Sequence, residues 1–94
     1  MDPAATSLPD LVLWRSDRCH LCEGTTTLIE ALLEQWGAAG REVPRLVIRR
    51  IAEDPAVERA LFEQVPVLEV EGRRLILAVR LGQIRAFLDQ TYGW

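Results

Sequence analysis

The chain has 94 residues, with 14 acidic and 11 basic side chains, a formal charge of −3, two cysteines and one histidine. That length suits one domain with a modest core, and a composition 49% hydrophobic and 27% charged excludes a disordered chain. The slightly acidic balance gives no basic footprint for nucleic acid. Every basic residue is Arg, with Lys and Asn absent, which reads as the codon bias of a GC-rich bacterial genome.

Met1 to Pro9 has neither a basic start nor an apolar run, so no signal peptide is expected. Residues 1–10 read as a tail ahead of a single domain over 11–94. The longest apolar stretch, Leu75 to Val79, is too short for a membrane span, so the expectation is a soluble cytoplasmic protein.

Leu11-Val12-Leu13-Trp14 is a run of large apolar residues that suits a strand buried on both faces, and Arg15-Ser16-Asp17-Arg18 breaks it. The period then changes. Cys22, Thr25, Ile29, Leu32, Leu33 and Trp36 share one helical stripe with Leu28 beside it, and Gly37 and Gly40 are expected to end that helix. Arg45 to Ile51 reads as a second strand. Glu53-Asp54-Pro55 marks the start of a short helix with Val57, Ala60 and Leu61 on its stripe. Val67 to Val70, the turn signal Glu71-Gly72 and Arg73 to Val79 form a hairpin. Leu81 to Tyr92 closes the chain as a helix whose start has no good cap, with Leu81, Ile84, Phe87, Leu88 and Thr91 at helical spacing.

The order β-α-β-α-β-β-α predicts an α/β fold with a mixed sheet of four strands and helices on both faces. Its first two strands are parallel, and the third is antiparallel to the first.

The two cysteines stand three positions apart, at the start of the first helix. A bridge closing so short a loop contributes about 2 kcal/mol, against about 3 for fifteen residues, so a staple is a weak reason for the pair. In a reducing compartment a neighbouring pair points instead to catalysis or metal binding.

A strand ending at Trp14, Cys19-His20-Leu21-Cys22 opening a helix, and Val65-Pro66 before a hairpin together resemble the thioredoxin superfamily. Within it the chain is similar to small bacterial glutaredoxin-like single-domain proteins with a C-H-L-C motif, over essentially all of Leu11 to Leu88. The resemblance implies strand order 2-1-3-4, a cis peptide at Val65-Pro66, and a backbone edge at Val65 that receives a substrate chain. It also implies a thiol–disulfide oxidoreductase, acting on a protein or glutathione disulfide with a reductase as electron source.

The helix start assigns the two thiols different parts. Cys19 stands where unpaired backbone N–H groups point at its sulfur, whereas Cys22 falls on the apolar stripe. Cys19 is the expected nucleophile and Cys22 the resolving thiol. The helix field is worth about 0.3–1 kcal/mol, under one pKa unit. Arg15 and Arg18 add to it while Asp17 and Glu23 oppose it, so the expectation is a modestly acidic Cys19.

His20 reads either as a cation favouring the thiolate or as an exposed residue at the helix start. Leu21 reads as part of a contact patch or as a helix former. Trp14 is expected in the core at the strand end, with lining of a substrate groove as the alternative, and Arg15 is a candidate substrate contact.

The chain departs from glutathione-using glutaredoxins at two places. Ser16 stands where they carry Lys, and Leu77 to Gly82 lacks their Gly-Gly-Asp segment, which weighs against glutathione as an obligate co-substrate. Leu11 to Trp14 also lacks the buried carboxylate of thioredoxins. No bound cofactor is expected, and a monomer is the simplest assembly. Two alternatives remain open: a dimer binding a metal or cluster through the cysteines, and a redox-inert interaction module.

Overall fold

A computed structural model describes residues 7–93. The part of the leader reading that concerns residues 1–6 lies outside the described residues. The elements are β1 (Leu11–Arg15), α1 (His20–Ala38), β2 (Leu46–Arg50), α2 (Pro55–Leu61), β3 (Val67–Val70), β4 (Arg73–Leu75) and α3 (Leu81–Tyr92), with a 3-10 turn at Ile51–Glu53. They form one sheet in the order β2-β1-β3-β4, a thioredoxin-like α/β fold. β1 runs parallel to β2, with Leu11 opposite Leu46 and Arg15 opposite Arg50. It runs antiparallel to β3, with Trp14 opposite Val67, and β3 is antiparallel to β4.

Alternation along β1 divides the core between the two faces of the sheet. Leu11 and Leu13, with Leu68 and Val70 of β3, pack against Ile29, Leu32 and Trp36 of α1 and Ile84, Phe87 and Leu88 of α3. Trp14 and Val67 form a smaller cluster with Ile51 and Leu61 on the α2 face. Each large aliphatic side chain fully buried here contributes about 1.5–3 kcal/mol. Asp54 caps α2 through Oδ1, which accepts from the N–H groups of Ala56 and Val57 at 3.1 and 3.3 Å, and Pro55 follows it.

Four local expectations need correction. Gly37 lies inside α1; the helix ends beyond it, where Gly40 takes φ +82° and Arg41 N–H returns to Trp36 O. β2 is shorter than Arg45 to Ile51, because Ile51 turns its buried side chain into the α2-side cluster from the 3-10 turn. Ala60 is exposed, leaving Leu61 and half-buried Val57 as the inward face of α2. β4 stops at Leu75: beyond it Leu77 takes φ +49°, a left-handed conformation that a continuing strand excludes.

The segment from Ser7 to Asp10 is fastened to the domain. Ser7 hydrogen-bonds Glu42 through both its N–H and its hydroxyl, Arg45 pairs with Asp10 at 2.8 Å, and the Tyr92 hydroxyl donates to Pro9 O at 3.0 Å. Among the described residues no helix is long and apolar enough to cross a membrane.

Candidate functional site

Between β1 and α1 the chain turns sharply. Arg18 adopts φ +54°, and Cys19 then takes an extended conformation as the N-cap of α1. The Cys19 sulfur occupies the place an Asp or Ser oxygen usually fills, accepting the Cys22 N–H at 3.1 Å. Cys19 and Cys22 are joined in a disulfide, with their Cα atoms 5.2 Å apart. Cys22 is completely buried, whereas Cys19 is partly exposed.

The charges around the pair centre on Glu23. Its carboxylate lies 4.0 Å from Arg15 Nη2 and 3.7 Å from His20 Nδ1. Arg15 also donates through Nε to Ser16 O, so its guanidinium is already engaged. The His20 side chain is 98% exposed and turns to Glu23. Asp17 pairs with Arg50, whose guanidinium, bonded to Glu53 and close to Asp17, is held above its ordinary pKa. Arg18 makes no ion pair with another described residue.

The register of β1 with β3 brings the second motif to the same end of the sheet. Trp14 opposite Val67 sets Val65-Pro66 beside the chain that leads from β1 to Cys19. The Val65-Pro66 peptide is cis, Pro66 is buried and Val65 is half-buried. Leu77 N–H donates to Gln64 O and Ala78 N–H to Pro66 O, each at 2.8 Å. Between these two bonded carbonyls, the N–H and C=O of Val65 have no partner among the described residues.

Leu21 is 60% exposed beside the cysteines. Trp14 is buried in the α2-side cluster, so it contributes no exposed surface here. Its Nε1 donates to Glu69 at 3.3 Å, and the Arg49 guanidinium lies 4.9 Å from its ring centre.

Three residues of this end escaped sequence reasoning. Phe62, 60% exposed at the end of α2, falls just ahead of the Val65-Pro66 segment. Leu77 was hidden in an apolar run that reads as strand. Thr25 sat on the helical stripe, but nothing in the spacing announced that its hydroxyl would bond Ala78 O. Among the described residues no group of three or more His, Cys, Asp or Glu side chains converges on a metal site.

The chain matches no family model and no curated protein. It is similar to target protein XcR50 from X. campestris. The X-ray structure shares 30% identity at a TM-score of 0.66, covering 85% of this chain and 96% of that one. The solution structure of XcR50 shares 33% identity at a TM-score of 0.58, covering 86% and 94%. Protein Ne2328 from Nitrosomonas europaea, at 24% identity and a TM-score of 0.66 over 88% and 94% of the two chains, shares the fold. Identity at this level along nearly the whole of XcR50 means that the chain belongs to the same family as that X. campestris protein.

Proposed function

We propose that the protein is a glutaredoxin-like thiol–disulfide oxidoreductase. The observation that carries this reading is the asymmetry of the Cys19–Cys22 pair: one sulfur is reachable at a helix N-terminus and the other is enclosed in the core. In the reduced protein the Cys19 thiolate attacks one sulfur of a substrate disulfide, forming a mixed disulfide and releasing the other substrate sulfur as thiolate. Cys22, deprotonated, then attacks Cys19 Sγ. The internal disulfide forms, the second substrate thiol leaves, and two electrons have passed to the substrate. Glutathione or a reductase returns the pair to the dithiol. The unpartnered backbone at Val65 supports docking of an extended substrate chain by strand-like hydrogen bonds.

A disulfide-exchange assay driven separately by glutathione and by thioredoxin reductase tests the proposal. Turnover is expected for the parent and lost in Cys19→Ser; equal activity of the two ends the reading. Cys22→Ser is expected to hold its partner as a mixed disulfide on Cys19. The mass of the adduct then identifies glutathione or a protein.

A further inference from the structure

The helix that carries both cysteines and the segment that carries Val65 are joined through one buried side chain. Thr25 lies one turn beyond Cys22 on the inward face of α1 and is 1% exposed. Its Oγ1 donates to the carbonyl of Ala78, itself completely buried. Ala78 N–H donates in turn to Pro66 O, and Leu77 N–H to Gln64 O. Leu77 to Val79 is thus a short bridge, held to α1 on one side and to residues 64–66 on the other. No regular element stiffens it: β4 has ended at Leu75 and α3 has not begun. Leu77 is held left-handed within it, and Val79 N–H returns to Leu77 O at 2.9 Å.

We infer that Thr25 is a positioning residue, fixing the Val65 backbone edge relative to the Cys19 sulfur for an incoming polypeptide disulfide. The inference rests on the oxidoreductase reading and deepens it. A peptide substrate must place its sulfur at Cys19 while its backbone lies along Val65, so its binding depends on the separation that Thr25 holds. A small disulfide without a peptide backbone needs only the sulfur. A buried carbonyl left without its donor pulls the bridge toward another partner, and Val in place of Thr keeps the branched shape while removing the hydroxyl.

Thr25→Val and Thr25→Ser are compared with the parent on a linear peptide disulfide and on 5,5′-dithiobis(2-nitrobenzoate). For Thr25→Val the peptide KM is expected to rise, by up to about tenfold, with little change in kcat, because docking must re-order a bridge loosened by one lost buried hydrogen bond. Its rate with the aromatic disulfide stays at the parent's value, and Thr25→Ser restores the peptide KM. An unchanged KM, an equal loss with both substrates, or failure of Thr25→Ser to restore binding overturns the inference. Amide hydrogen exchange at Leu77 and Ala78, read on the same three proteins, keeps the test independent of turnover. Faster exchange in Thr25→Val alone supports the bridge, and unchanged exchange overturns it. A parent inactive on both disulfides, by contrast, defeats the oxidoreductase reading itself.

Discussion

Glu23 is the residue on which the charge around the cysteines turns. Its carboxylate stands between the Arg15 guanidinium and the His20 imidazole, four positions along the helix from Cys19, and offsets the charge of Arg15. Glu23→Gln releases both toward the sulfur. Reduced Cys19 in that variant is expected to react faster with iodoacetamide near neutral pH. The gain stays under about fivefold, because exposed ion pairs are worth less than about 1 kcal/mol. An unchanged or slower rate would show that Glu23 does not oppose the thiolate. That Glu23 shares a helix face with Cys19 was legible from the four-residue spacing. That it is satisfied jointly by Arg15 and His20 was not, because the geometry depends on how the chain turns through Arg18.

At the scale of elements, local chemistry was readable where a side chain acts on its own backbone. Asp54-Pro55 starts α2 as their types require, and Asp54→Ala is expected to cost about 1 kcal/mol in denaturant unfolding. Glu71 and Gly72 both take positive φ, 48° and 84°, in the hairpin turn between β3 and β4. Glycine accepts this freely and Glu does not. Glu71→Asn, which tolerates the left-handed region, is expected to stabilise the chain by about 0.5–1 kcal/mol; a lower unfolding midpoint would refute that. The end of β4 was illegible for the opposite reason. Arg73 to Val79 runs into an apolar stretch with branched Ile76 and Val79, as a strand can, but Leu77 and Ala78 spend their N–H groups on Gln64 and Pro66, far away in sequence. Gly37 misled in the same way: a glycine at a helix end is a signal only if the chain turns left-handed there, and it does so at Gly40.

At the scale of the molecule, the segment ahead of β1 is tied to α3 and to the start of β2. Pro9 accepts from the Tyr92 hydroxyl and Asp10 pairs with Arg45, which holds the Arg45 guanidinium above its ordinary pKa. Burial first, then the carboxylates of Asp10 and Glu71, push the phenol of Tyr92 above its ordinary value of 10.0. A phenol harder to ionise in the folded chain adds stability that is complete below the unfolded pKa and lost as pH rises above it. Unfolding midpoints are therefore expected to fall above about pH 10, and Tyr92→Phe to flatten that fall. Tyr92 is the single tyrosine, so its phenolate absorbance titrates alone; an ordinary titration in the folded protein would refute the shift. The parallel first pair, the antiparallel third strand and helices on both faces followed from element order, and the strand order from the family resemblance. The tie between the ends did not, since no periodicity links Pro9 to Tyr92.

The sulfur at the head of α1 has two jobs at once, and each constrains the other. Cys19 Sγ receives the Cys22 N–H that would otherwise go unpaired at the first turn. A thiolate accepts such a bond more strongly than a disulfide sulfur, because charge on the acceptor shortens and strengthens it. Integrity of the first helical turn and oxidation state of the sulfur are thus reciprocally linked: whatever firms the turn favours the reduced form, and reduction firms the turn by the same free energy. On the oxidoreductase reading, a substitution in the opening turn of α1 that loosens the Cys22 N–H contact is expected to favour the disulfide over the dithiol.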